Sequence, residues 1–124
     1  MHKFPNIDSE QPNPTRRMKM IDDKKGRLEE KNYEYKQLIE KRANAEADYN
    51  VAFSMALMKH RMDGTPITIA KDLAKGEKSV VKLKLEYEIA LGVERACLES
   101  MKDIREALGA DRSILTWLRT EMHP

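Results

Sequence analysis

Histidine and cysteine, the side chains most used for acid–base, nucleophilic and zinc chemistry, are few in this chain. The sequence has three histidines and one cysteine: His2, His60, His123 and Cys97. They are too far apart in sequence to form the paired Cys/His spacing of a zinc site. No P-loop, GxGxxG or GxSxG motif occurs, and the many carboxylates are those expected on the solvated faces of amphipathic helices. We therefore predict no enzyme activity, no cofactor and no metal site.

A single cysteine excludes a disulfide within the chain and is typical of a reducing compartment. Cys97 lies at a core position of a heptad pattern, which favours a buried structural thiol over a nucleophile. No signal-peptide pattern opens the sequence, and no apolar run reaches the roughly 20 residues of a membrane span. These features predict a cytoplasmic protein that makes no membrane contact.

Cations gather in the middle of the sequence. Residues 59–84 have a net charge of +4, although the whole chain has only +2. We call these seven cations the basic cluster: Lys59, Arg61, Lys71, Lys75, Lys78, Lys82 and Lys84. A second group of cations near residue 20 includes Arg16 and Arg17. Lysines follow phosphates rather than base edges, so this pattern predicts sequence-independent contact with a nucleic acid. The alternative is that these lysines only keep the protein soluble.

Aromatic side chains available for base stacking are scarce, because Tyr35, Tyr49 and Tyr87 fall on heptad core positions. Tyr33 and Trp117 are the remaining candidates for stacking. Trp117 lies outside the core positions of its own heptad pattern, which favours its burial in an interface between subunits over a stacking role.

Two long helical patterns position these residues. From Val80 to Met122, apolar residues recur at alternating steps of three and four, with charged interruptions at Glu94 and Asp111. A similar pattern runs from Ile21 to Ala56, with cations on its core positions at Lys24, Lys31 and Arg42. Such heptads predict helices that pack lengthwise on one another.

The predicted fold is all-α: an antiparallel hairpin of long, coiled-coil-like helices with a short helix at the connection. We place the helices at residues 18–62 and 77–121 and the connector at 63–76. Thr68 is the expected N-cap of a short helix that runs to about Lys75, and Gly76 is the expected C′ residue after that helix. Residues 1–17, rich in proline, are predicted to be a flexible arm, and 18–124 a single domain. The alternative is a break of the second helix at Gly109–Asp111, but the unbroken heptad favours a continuous helix.

Two stretches near the connector are apolar on nearly all sides, and we call them the apolar belt. Its members are Val51, Phe53, Met55, Leu57, Met58, Ile89, Leu91 and Val93. A two-helix hairpin buries only one stripe of each helix, so the surplus predicts a homo-oligomer, with Trp117 also in the interface. The alternative is that the segment Ile67–Leu73 covers this surface within one chain.

The second helical pattern resembles that of UvsY-type phage recombination mediators. The likeness is carried by Leu98-Glu99, Lys102, Ile104, Ile114 and Trp117, and by the upstream segment KLKLEYEIA. The chain departs from the family at Ala107-Leu108-Gly109-Ala110, where the family has a more basic stretch. The resemblance implies a non-enzymatic oligomer that binds single-stranded DNA and assists a recombinase in displacing single-strand-binding protein.

Two functions therefore stand side by side. The first is an oligomeric accessory protein of DNA recombination that binds single-stranded DNA. The second is a helical protein–protein interaction module, such as an adaptor, an inhibitor or a phage assembly factor, that binds no nucleic acid.

Overall fold

The structure, a computed structural model, describes residues 13–122. It contains three helices in this range: α1 (Pro14–Met62), α2 (Ile67–Gly76) and α3 (Lys78–Met122). No strand occurs among these residues, which confirms the predicted all-α class. None of the helices in the described range is both long and apolar enough to cross a membrane.

The first helix begins earlier than the sequence suggested. The Asn13 side-chain oxygen accepts hydrogen bonds from the backbone N–H groups of Thr15 (2.9 Å) and Arg16 (3.3 Å), which makes Asn13 the N-cap. Pro14 follows in the first helical position, where its missing N–H is no loss. Residues 14–17, assigned above to the arm, therefore belong to α1, and residues 1–12 lie outside the described part of the chain.

The turn after α1 depends on Gly64, whose φ of 88° is a left-handed conformation that costs glycine little. The N-cap of α2 is Pro66, which makes no side-chain capping bond, so the prediction of Thr68 as the cap was wrong. Gly76 is the last helical residue of α2 and Glu77 is the C-cap, so the prediction of Gly76 as the C′ residue after the helix was wrong. The third helix is continuous through Gly109–Asp111, so the alternative of a break there is excluded.

Internal contacts divide the described chain into two units, both of which contain parts of α1 and α3. The terminal unit comprises residues 13–32 and 100–122, and the connector unit comprises Tyr33–Glu99. The assignment of residues 18–124 to a single domain stays a prediction.

The core of the terminal unit follows the predicted heptad. Ile21 packs in a buried cluster with Leu108 and Leu115. Met101, Ile104 and Leu118, at further positions of the same pattern, are also buried. The side chain of Asp111 is almost fully buried as well, and it receives salt bridges from Arg17 (2.8 Å) and Lys24. Lys24 and Asp111, which interrupt the apolar pattern of the two heptads, therefore pair with each other in this unit.

The connector unit has a core of small residues beside its turn. Ala56, Ala74 and Val80 form a buried cluster, which is flanked by partly buried apolar side chains of α1. Because alanine has a short side chain, α2 can pack closely on this cluster, and Ala70 and Ala74 are completely buried. The rings of Tyr49 and Tyr87 stack at a centroid distance of 6.2 Å with an interplanar angle of 6°.

Candidate nucleic-acid interface

The basic cluster lies entirely within the connector unit. Lys59 and Arg61 are in the last turn of α1, two members are on α2, and three are in the first two turns of α3. All seven side chains are exposed to solvent. Every predicted phosphate-binding residue of this cluster is thus accessible, on three consecutive elements of one unit.

Packing of α2 determines which of its residues reach the solvent. Ala70 and Ala74 are four residues apart, so they share one face, and that face is completely buried. Lys71 and Lys75 are offset by one residue and share a neighbouring face that is exposed. The two buried alanines therefore fix the side of α2 on which both lysines stand.

Two polar contacts stabilise the turn beside the cluster. The Arg61 guanidinium donates a hydrogen bond from Nη1 to the backbone carbonyl of Thr65 at 2.9 Å. His60 Nε2 lies 2.9 Å from Glu77 Oε1, which joins the last turn of α1 to the residue before α3. These contacts hold the three helix ends of the connector unit together.

The cations of the basic cluster differ from those on the heptad core positions. Lys24 and Arg42 bind buried carboxylates, Asp111 and Glu94 respectively. By contrast, none of the seven forms a salt bridge to a residue within 13–122. Lys71/Lys75 and Lys78/Lys82 are like-charged pairs at a spacing of four, each of which costs about 0.2–0.5 kcal/mol of helix stability. The cluster therefore carries positive charge that its own fold does not neutralise.

Arg16 and Arg17, the two predicted nucleic-acid-binding cations near the arm, differ from the basic cluster in their contacts. Arg17 is half-buried and bound to Asp111, so its guanidinium is committed to the terminal unit. Arg16 is exposed at the start of α1 and has an interaction partner of its own. Neither has the unpaired character of the basic cluster.

The surroundings of the buried Asp111 carboxyl determine its ionisation state. Burial by itself raises the pKa of this carboxyl, but hydrogen bonds from Lys24 and Arg17 outweigh burial and hold the pKa below its ordinary value of 3.8. Asp111 is therefore ionised at neutral pH and stabilises the terminal unit. It is a structural group, whereas the heptad pattern alone indicated a charged interruption at this position.

The apolar belt remains largely uncovered in the connector unit. Val51, Met55 and Met58 on α1 are 58%, 66% and 62% exposed, and Ile89 and Val93 on α3 are 57% and 46% exposed. Phe53, Leu57 and Leu91 are half-buried. The residues of α2 that were the alternative cover, Ile67, Ile69 and Leu73, are themselves exposed. The helix α2 therefore packs on the rest of the connector unit through its alanine face, and its larger apolar side chains do not cover the apolar belt.

The two candidate stacking residues are both accessible. Tyr33, in the connector unit, is 69% exposed, and Trp117, in the terminal unit, is 57% exposed. Trp117 is uncovered within the chain, which is compatible with either of its expected roles.

Of the histidine and cysteine side chains, His60 and Cys97 lie within the described residues. Cys97 is buried, with 5% of its surface exposed. No group of three or more histidine, cysteine or acidic side chains within residues 13–122 is placed to bind a metal ion. His2 and His123 lie outside the described residues.

Comparison with known proteins adds no assignment: no protein-family model, curated protein or solved structure matches this chain. The functional interpretation therefore depends on the surface of the connector unit.

Proposed function

We propose that this chain is a non-enzymatic, oligomeric accessory protein that binds single-stranded DNA through the basic cluster. The observation that carries the proposal is the exposure of all seven cations without a salt bridge among residues 13–122. Unneutralised cations on one unit attract a polyanion and release its counterions on binding.

The binding is independent of base sequence. Lysine is a flexible point charge that contacts phosphates, whereas base reading needs planar donors placed in a groove. Of the seven cations only Arg61 has a planar head group, and its Nη1 is already bonded to Thr65. A single strand is favoured over a duplex by the resemblance described above, and Tyr33 in the same unit offers a ring for stacking.

The proposed architecture is an antiparallel helical hairpin that assembles through its apolar belt. Contacts within each unit support the antiparallel arrangement. Residues of α1 with increasing numbers contact residues of α3 with decreasing numbers. In the connector unit, Arg42, Tyr49 and Ala56 contact Glu94, Tyr87 and Val80, respectively. The exposed belt residues supply the surface for other subunits, and the resemblance adds a recombinase or a single-strand-binding protein as partner.

Fluorescence anisotropy of a labelled, mixed-sequence, single-stranded oligonucleotide tests the DNA-binding part. We expect the variant K71E/K75E/K78E/K82E to bind roughly tenfold or more weakly than the natural protein, because four phosphate contacts are lost. The matched control is K36E/R95E/R105E/R112E, which changes the net charge equally at exposed helical positions outside the cluster. Equal weakening in both variants would mean that net charge alone governs binding and that the basic cluster is not the site.

A second candidate function is a protein–protein interaction module without nucleic acid. It is favoured by the methionines on the exposed side of α1, since flexible, polarisable methionines suit adaptable protein contacts. Met55, Met58 and Met62 are 66%, 62% and 83% exposed. Absence of oligonucleotide binding at low salt, together with an intact oligomer, favours this second function.

A further inference from the structure

The connector unit contains an open hollow between α1 and α3, apart from the basic cluster. Its volume is about 280 Å³, and its apolar lining includes Leu38, Ala45, Ile89 and Val93. Ala45 contributes only a methyl group on the α1 side, which leaves space between the two helices. At the edge stand one cation, Lys41 of α1, and one anion, Glu86 of α3.

The hollow is a poor site for a small molecule. Pockets that bury a drug-sized ligand have volumes of about 300–1,000 Å³, and this one is smaller and open. Its apolar wall continues along the outside of α3 instead: Val81, Leu85, Ile89 and Val93 follow one another at steps of four and are each about half exposed. An extended apolar strip with a hollow beside it suits a packed helix.

The charges at the edge indicate which helix packs there. In a two-fold symmetric dimer, residue i of one subunit meets residue j of the other, and j meets i. When this edge meets the same edge of a second subunit, the cation of each subunit therefore lies opposite the anion of the other. Neither Lys41 nor Glu86 forms a salt bridge within residues 13–122, so both charges are available to a partner.

We infer that the hollow is a two-fold interface with a second copy of this chain. Lys41 of each subunit pairs with Glu86 of the other, and each Ile89 side chain packs against the hollow of the opposite subunit. Two hairpins joined in this way bury the strip of α3 in a four-helix arrangement. This inference deepens the oligomer of the proposed function and rests on it, but it does not depend on DNA binding.

Sedimentation equilibrium at about 0.05 M salt, where screening is weak, tests the pairing by charge exchange. Each single reversal, Lys41→Glu or Glu86→Lys, places like charges opposite each other twice per dimer. We expect each to weaken the dimer roughly tenfold, and the double variant K41E/E86K to recover the natural dissociation constant within about threefold. The controls Lys36→Glu and Glu40→Lys make the same changes of charge at exposed α1 positions away from the hollow and leave the dimer intact.

A second pair of variants tests the apolar contact. Ile89→Glu replaces the exposed side chain that packs against the hollow of the opposite subunit and yields a monomer, whereas Ala47→Glu, at an exposed position elsewhere on α1, leaves the dimer intact. Circular dichroism of each variant verifies that helix content is preserved. An oligomer of the natural protein that tolerates Ile89→Glu, or that the charge exchange does not restore, overturns this interface but leaves the proposed oligomer standing. A natural protein that stays monomeric at about 100 μM overturns both.

Discussion

Arg42 on α1 binds the buried carboxylate of Glu94 on α3 through two hydrogen bonds, from Nε to Oε2 at 2.9 Å and from Nη2 to Oε1 at 3.4 Å. Nη1 of the same guanidinium donates to Glu46 at 3.0 Å. The hydrogen bond to Glu94 raises the pKa of Arg42 above its ordinary value, with Glu46 contributing further. Both partners occupy core positions of heptads, so the pair specifies which residues of the two helices lie opposite one another in the connector unit.

Reversing this pair tests its role in setting that alignment. Arg42→Glu places a carboxylate beside Glu94 and Glu46, so we expect a clearly lower urea midpoint of unfolding than that of the exposed-site control Lys36→Glu. The exchange R42E/E94R restores opposite charges and recovers part of the loss, although Glu46 then repels residue 42. An exchange variant as unstable as Arg42→Glu itself would show that the ion pair does not determine the alignment.

Asp111 predicts a specific loss of stability in acid. Its pKa is lower in the folded chain than the ordinary 3.8 of an unfolded one, so it stabilises the fold above that value. This contribution begins to disappear as the pH falls through about 4 and is gone below the folded pKa. Asp111→Asn should therefore lower stability at pH 7 by about 1.5–3 kcal/mol, since hydrogen bonds to a charged group are lost. Below the folded pKa, the difference in the free energy of unfolding between Asp111→Asn and the natural protein becomes smaller.

Urea titrations of both proteins at a series of pH values measure this effect. Asp103→Asn, at an exposed position on the same helix, is the control and should stay near the natural curve. If the free energies of unfolding of the Asp111→Asn and natural proteins differ by a constant amount from neutral to acid pH, the assigned ion pair is contradicted.

Met101 predicts the cost of removing a core side chain from the terminal unit. It is 2% exposed, so Met101→Ala removes buried apolar contacts and leaves a cavity, and it should lower the free energy of unfolding by about 2–5 kcal/mol. Met62→Ala is the same substitution at a position that is 83% exposed and outside the apolar belt, and it should change stability by no more than about 0.5 kcal/mol. Chemical denaturation compares the two, and similar losses would contradict the assigned core.

Two glycines predict opposite responses to alanine. Gly109 is exposed within continuous α3, and a Cβ added there meets no atom within 4 Å, so Gly109→Ala should stabilise the protein by about 0.5–1 kcal/mol. Gly64 has a φ of +88°, so Gly64→Ala should destabilise it by about 1–2 kcal/mol despite the open space. Thermal unfolding distinguishes the two, and stabilisation by Gly64→Ala contradicts the assigned turn.

The core positions of α3 were predictable from the sequence because they follow a single heptad pattern. Of the apolar core positions predicted on α3, those from Ala90 to Leu118 are buried, and Leu83 and Tyr87 are half-buried. Glu94 and Asp111 appeared in the same pattern as interruptions. Their pairing with Arg42 and Lys24 was not predicted, because a heptad read on one helix alone does not show which charge faces it on the other.

The start of α1 was missed for a different reason. Prolines near the N-terminus suggested an arm, yet the dipeptide Asn13-Pro14 is itself a helix-start signal, with the asparagine as N-cap and the proline in the first helical position. The exposure of the basic cluster was predictable from its charge. The hollow beside Ile89 was not, because it depends on how two helices meet at small side chains.

The salt dependence of oligonucleotide binding by the natural protein tests the central claim most directly. If the basic cluster neutralises four phosphates of a single strand, the logarithm of the association constant falls linearly with the logarithm of salt concentration, with a slope of about −2.8 or steeper. The account predicts this slope, and a loss of about 2.8 units of it in K71E/K75E/K78E/K82E, at about 0.7 for each phosphate contact removed, but not in the matched control. Binding that is absent at about 0.05 M salt, or that does not change with salt, contradicts it.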